Sequence, residues 1–169
     1  NLDSNTTLPI KNPENITING EPIPLCATIG VFFINDSNQY ICGGYGEWTG
    51  ETTSIAAWGT ETGEDNGFEV GESYNWFLQI GDQSFPVDEN GANMFTVAPF
   101  SDTYSLNGFA SLLSANFEGD LEELFYGCND DSACNYDESA NCSDGSCTYP
   151  ELLYDCDGNC INDSDSDEI

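Results

Sequence analysis

The residues with the clearest chemical potential lie near the C-terminal end. Asp155, Asp157 and Asn159 alternate, followed at the same interval by Ile161 and Asp163. Counted from Asp155, these are positions one, three, five, seven and nine of an oxygen-rich loop. That spacing lets calcium collect carboxylates, an amide and, at position seven, a backbone carbonyl. The twelfth position is Ser166, so the bidentate Glu of an EF-hand is missing. Asp163, Asp165 and Asp167 begin a second alternating set, and Asp130, Asp131, Asn135, Asp137 and Asp144 form a third cluster. Acid runs usually form solvated tails. Here Cys128, Cys134, Cys142, Cys147, Cys156 and Cys160 are interleaved with the acids and force them together. Calcium is the expected cofactor. The cysteine spacings approach those of zinc sites, but hard carboxylate oxygens favour calcium.

Magnitudes support a structural role for such sites. Extracellular calcium modules bind at roughly 10⁻⁴–10⁻³ M. Ligand at about ten times its dissociation constant stabilises by ~1.4 kcal/mol per site. Two or three sites would match one disulfide.

The same composition excludes several functions. The chain has 169 residues, 31 Asp and Glu, one basic residue (Lys11), no His and a net charge of −30. Nothing can neutralise phosphates, so no nucleic-acid partner is expected. A His-dependent catalytic triad is impossible. No apolar run approaches the length of a spanning helix, so no direct membrane insertion is expected. Acid pairs such as Glu122-Glu123 arise by chance in so acidic a chain, and no nucleophile has a base beside it. The chain is not expected to be an enzyme.

Eight cysteines imply disulfides and an oxidising, extracellular setting. Six of them allow 15 connectivities. The expected arrangement is a local Cys156–Cys160 loop, with Cys128, Cys134, Cys142 and Cys147 pairing among themselves. Cys26–Cys42 would bridge the remainder of the chain.

These groups must be positioned by two regions of different physics. The composition changes near residue 120: residues 1–119 hold 16 acids and most of the large apolar residues, whereas 120–169 hold the other 15 acids. The expected domains are 1–126 and 127–169. The first can bury a core; the second needs cross-links. Strand-like runs in the first are Thr6–Ile10, Ile16–Ile18, Ala27–Ile34, Tyr40–Cys42, Thr52–Trp58, Tyr74–Ile80, Met94–Ala98 and Ser114–Phe117, separated by turn formers such as Asn19-Gly20 and Asn90-Gly91. Only Asn107–Ser114 suggests a helical turn. The expected fold is all-β: a two-sheet antiparallel β-sandwich, Ig-like or jelly-roll-like, plus a small disulfide-rich calcium-binding module.

A resemblance sharpens this expectation. Asn5-Thr-Thr-Leu-Pro-Ile, Ile18-Asn-Gly-Glu-Pro-Ile, Cys42-Gly-Gly-Tyr-Gly-Glu-Trp-Thr-Gly, Ile55-Ala-Ala-Trp-Gly and Asp65-Asn-Gly-Phe-Glu-Val-Gly-Glu follow one another in order. Together they resemble a β-sandwich module repeated in large secreted proteins of marine Bacteroidetes. Gly127-Cys128, Ala133-Cys134-Asn-Tyr, Asp144-Gly-Ser-Cys147 and Tyr154-Asp-Cys156-Asp-Gly-Asn-Cys160 resemble a companion module of those proteins. The run after Cys160 is similar to thrombospondin type 3 calcium repeats. The resemblance implies a cell-surface location, and Asp131-Ser132-Ala133 fits a short O-glycosylation pattern that would place a sugar on Ser132.

The expected function is a structural or adhesive building block of a surface protein or filament, rigidified by calcium and disulfides. Its expected partners are further copies of itself or neighbouring domains of the same large surface protein. The alternative is a carbohydrate-binding module holding cells or enzymes on polysaccharide, with glycans as partners and Trp48, Trp58, Trp76, Tyr45 and Tyr74 as an aromatic platform. In a β-sandwich such aromatics more often form core. Thr6–Ile10 and Ile16–Ile18 are expected either as edge strands or, for the first, as a strand donated to a neighbouring copy.

Overall fold

The computed structural model describes residues 5–161, which form twelve short strands, the longer ones mostly alternating apolar with polar residues. They are β1 (Asn5–Ile10), β2 (Ile16–Ile18), β3 (Glu21–Pro22), β4 (Thr28–Ile34), β5 (Tyr40–Glu47), β6 (Thr53–Trp58), β7 (Asn75–Ile80), β8 (Gln83–Pro86), β9 (Asn93–Met94), β10 (Leu112–Phe117), β11 (Tyr126–Gly127) and β12 (Cys142–Ser143). The described residues contain no α-helix, only a 3-10 turn at Pro13–Asn15. The chain divides into two compact units, Asn1–Leu121 and Glu122–Ile169.

The first unit contains two larger sheets. One runs β3-β2-β10-β1-β6, with β9 also on β10; the other runs β5-β4-β7-β8. Period-two alternation sends one face of each strand inward. Leu8 and Ile10 of β1, Ile29, Val31 and Phe33 of β4, Leu78 of β7, and Leu112 and Phe117 of β10 are almost fully buried. Phe68 joins this core from a loop, stacking on Tyr104 at 5.6 Å and meeting Phe33 edge-on at 5.7 Å. Lys11 sits over the Phe100 ring, with its Nζ 5.7 Å from the centroid.

Several expectations need correction. The larger sheet is mixed rather than antiparallel: β1 and β2 both run parallel to β10, with Ile10 opposite Leu112 and Ile16–Ile18 opposite Ala115–Phe117. The three-residue Pro13–Asn15 turn interrupts what is otherwise one flank of β10. Consequently β1 lies between β6 and β10 in its own sheet, neither at an edge nor held out for donation. Pro9 is tolerated inside the sheet because β10 meets β1 there only at its first residue, and Ser111 Oγ donates to Pro9 O (3.2 Å).

The expected helical turn at Asn107–Ser114 is absent. Leu112–Ser114 instead starts β10, and burial of Ala110 and Leu112 in the sheet overrides the helix propensity of the Ala-Ser-Leu-Leu run. The expected strand Met94–Ala98 shrinks to Asn93–Met94. β5 continues past Cys42 to Glu47 because Gly43 and Gly44 permit close approach. A Cβ at Gly43 would strike the Phe68 ring, and one at Gly44 the Ala56 carbonyl of β6.

Three disulfides form. Cys128–Cys147 and Cys134–Cys156 have Cα separations of 4.8 and 5.2 Å, within the usual range. Cys26 and Cys142 are also disulfide-bonded. Cys42 and Cys160 are free and exposed, so neither the Cys26–Cys42 bridge nor the Cys156–Cys160 loop exists. The hairpin register explains the first: Cys42 lies opposite Phe32, whereas Cys26 precedes the opposite end of β4. At ~3.3 Å per residue they are too far apart for a bridge.

Candidate functional site

The second unit has almost no apolar core. Among its described residues, Cys128, Ala133 and Cys142 are buried, while Leu152, Leu153, Tyr149 and Ile161 are exposed. Aspartate-capped turns organise the chain between its cross-links. Asp130 Oδ1 accepts from Ser132 N (2.9 Å) and Ser132 Oγ (2.7 Å). Seven residues on, Asp137 Oδ1 accepts from Ser139 N (2.9 Å) and Oγ (2.6 Å). Seven further, Asp144 Oδ1 accepts from Ser146 N (2.9 Å). Each is an Asp-x-Ser step in which the carboxylate replaces a backbone acceptor.

The calcium-like ladder uses the same device more tightly. Asp155 Oδ1 accepts from Asp157 N (3.0 Å) and Asn159 N (2.8 Å), and Asp155 Oδ2 accepts from Asn159 Nδ2 (3.0 Å). Backbone bonds from Asp155 N to Asn159 O and Gly158 N to Asp155 O close the turn, with Gly158 at φ +82°. Asp157 is exposed, as is Ile161, whose N–H donates to Leu153 O (2.8 Å). Asp163, Asp165 and Asp167 lie outside the described residues.

The third cluster divides. Asn135 Oδ1 accepts from Thr148 N (2.7 Å) and Thr148 Oγ1 (3.1 Å), while its Nδ2 donates to Ser146 O (2.8 Å). Asp130 Oδ2 accepts from Tyr149 Oη (2.6 Å), and Asp131 is exposed. Asp137 and Asp144 serve their own turns. Among the described residues, no three acidic or cysteine side chains converge as a metal-holding group. Among the described residues, side-chain oxygens of Asp130, Asn135, Asp137, Asp144 and Asp155 are engaged by N–H and O–H donors.

Those donors shift the acids consistently. The Tyr149 hydroxyl, then Ser132, holds the Asp130 carboxyl below the ordinary carboxylate range; Ser139 does so for Asp137, Ser146 for Asp144, and Asn159 for Asp155. Asp130 in turn pushes Tyr149 up.

Sequence reasoning missed the serines at 132, 139 and 146 as turn partners, although the seven-residue recurrence of Asp-x-Ser was present to be found. It also missed Asn141, whose Oδ1 accepts from Phe125 N (2.8 Å) while Nδ2 donates to Glu123 O (2.9 Å). Ser132, the expected glycosylation site, is exposed.

The aromatic platform of the alternative reading does not assemble, and three of its five residues lie in the core, where such aromatics are more often found. Trp48, Trp76 and Tyr74 are buried, while Trp58 and Tyr45 are exposed. Burial pushes the Tyr74 hydroxyl up to about 12; Thr6 opposes that shift, but no hydrogen bond of good geometry forms. No protein-family model, curated protein or solved structure matches the chain.

Proposed function

We propose that this chain is an extracellular structural building block: a β-sandwich followed by a disulfide-clamped acidic unit that calcium stiffens. The observation that carries this reading is the second unit's construction. With almost no apolar core, it relies on cross-links and aspartate-capped turns, and a segment that small cannot be held by burial alone. Disulfides point to an oxidising environment, and among the described residues no helix is long and apolar enough to cross a membrane.

In this reading Asp155, Asp157 and the Ile161 carbonyl supply oxygen ligands, together with Asp163, Asp165 and Asp167. Asn159 joins after its amide turns by half a rotation, replacing Nδ2 with Oδ1. The described residues alone supply too few oxygens for the six to eight calcium takes. The partners are copies of the same chain or neighbouring domains of a larger surface protein, and Ser132 carries a glycan.

Calorimetry on chelator-treated full chain tests the metal. Calcium should bind with a millimolar or tighter dissociation constant and slow proteolysis between residues 128 and 161. Asp155→Asn with Asp157→Asn should weaken binding at least tenfold. Absence of both heat and protection would remove calcium from the proposal.

A further inference from the structure

The outer side of the β5-β4-β7-β8 sheet carries side chains that water does not favour. Phe32 and Ile34 of β4 point outward, out of phase with the buried Ile29, Val31 and Phe33. The ladders set Tyr40 opposite Ile34, Cys42 opposite Phe32, and both Tyr45 and Phe77 opposite Gly30, so all of these share the outward side. An antiparallel sheet with one face on the core ordinarily turns a polar face to solvent. Here Tyr40 is 56% exposed, Tyr45 71% and Ile34 43%. Among the described residues on the outward side of these four strands, Glu47 alone is charged, in a chain with 31 acids.

Three observations choose the occupant of this face. The first is ring geometry. Phe77 meets Phe32 at 4.9 Å and Tyr40 at 5.1 Å, with the planes 64° and 62° apart. Rings set edge to face offer no flat ledge for a planar or sugar ligand; their ridges suit interdigitating side chains. The second is charge. A chain at −30 repels its own copies over most of its surface. Physiological salt screens that repulsion beyond about 8 Å, so copies can approach where the contact itself holds few acids. The third is a thiol. Cys26, Cys128, Cys134, Cys142, Cys147 and Cys156 are disulfide-bonded, yet Cys42 is free and exposed on this face. In an oxidising setting a leftover thiol points to pairing with another chain.

We infer that two copies of this chain join through this face, sheet on sheet, about a two-fold axis that crosses β5 at Cys42 and brings the two Cys42 thiols together. The axis runs across the strands, so each β5 lies over its counterpart and Tyr45 meets the partner's Tyr40. At about 4.8 Å between strands and about 3.4 Å per residue, four strands and the seven residues of β4 define roughly 450 Å². Two such faces bury about 900 Å², below the roughly 1,200–2,000 Å² of stable non-covalent interfaces. The contact is therefore weak until a disulfide locks it. A small-molecule disulfide is the oxidant: one Cys42 thiolate displaces a thiol from it, and the partner's Cys42 displaces the second. The two Cys42 protons leave with the two released thiols, and one Cys42–Cys42 bond replaces the one broken. This inference rests on the building-block reading for self-association and is independent of calcium.

The test uses the full disulfide-bonded chain at micromolar concentration, in chelator, with excess oxidised glutathione. Non-reducing electrophoresis and peptide mass spectrometry should find a covalent dimer joined Cys42 to Cys42. Cys160→Ser should dimerise as fully as the unaltered chain, and Cys42→Ser should stay monomeric. Tyr45→Asp, at an exposed position, should slow dimer formation about tenfold by placing a carboxylate in the contact. A maleimide should label Cys42 of that variant as fast as in the unaltered chain, which separates a damaged contact from a less reactive thiol. Raising the salt concentration should speed dimerisation several-fold, because the acids of the two copies are then screened. Linkage through Cys160, or a rate that Tyr45→Asp leaves unchanged, would overturn the inference, since thiols meeting by chance need no complementary face. A chain that stays monomeric would overturn it too. With chelator present throughout, that failure is distinct from a failure of calcium to bind, which the calorimetry reads separately.

Discussion

The two units solve the same problem with different materials. In the first, burial does the work: Leu8, Ile10, Ile29, Leu112 and Phe117 have essentially no exposed surface, and each fully buried side chain contributes about 1.5–3 kcal/mol. Among the described residues of the second, only two cysteines and one alanine are buried, and order comes from cross-links and carboxylate-capped turns. Apolar burial is insensitive to redox state and mild acid. Cross-links and ionised turns are sensitive to both. A chain built from these two units should therefore come apart in stages, each set by its own chemistry.

The largest effect should come from the core. Phe117→Ala removes a fully buried ring between β2 and the β8–β9 segment, at a cost of about 3–5 kcal/mol. Trp48, Trp58 and Trp76 all lie in the first unit, so tryptophan emission reports on it selectively. Emission should report an earlier melt while cleavage of the second unit is unchanged; simultaneous loss would break the contrast. Next comes replacement of Cys128 and Cys147 by serine. Opening that 19-residue separation should cost about 3 kcal/mol and expose the second unit to protease, with tryptophan emission unaltered.

Smaller effects come from titration. Tyr74 ionises near 12 in the folded chain against about 10 when unfolded, so its contribution is present below pH 10 and lost as pH rises towards 12. Alkaline melts should lose roughly 2 kcal/mol over that window, and Tyr74→Phe should flatten the loss. In acid the order reverses. Asp130, Asp137, Asp144 and Asp155 are all held below the usual carboxylate range, so their stabilisation is present above the unfolded value near 4 and disappears as pH falls through their folded values. The second unit should become protease-sensitive below pH 4 before tryptophan emission changes. The reverse order would show that its turns depend little on ionised aspartate.

Local alternation was legible wherever one face is buried. Ile16–Ile18 and the strands ending at Ile34, Trp58 and Ile80 all follow from it. It failed where glycine hides a strand, as at Gly43-Gly44, and where a short strand ends in proline, as at Pro86. Partner choice was less accessible. Nothing near Thr6–Ile10 announces pairing with a segment a hundred residues away, and cysteine spacing could not show that Cys156 joins Cys134 rather than Cys160. The alternating oxygens at Asp155 and Asn159 were visible, but their engagement by their own turn depends on backbone geometry that spacing does not encode.

The parallel flank of β10 also has a mechanical consequence. Pulling at Asn5 and beyond Phe117 loads β1, β2 and β10 along their lengths in opposite directions, because their parallel courses put the two grips at opposite ends. The bonds joining Thr7 with Gly108 and Ala110, Asn19 with Phe117 and Gly119, and Thr17 with Asn116 are then sheared together rather than peeled one at a time. Single-molecule extension should show one high-force rupture of the first unit. Asn116→Ala should lower that force, and a gradual low-force unzipping would disprove the shear geometry. Under tension along this axis, the strand order would act as a tensile lock.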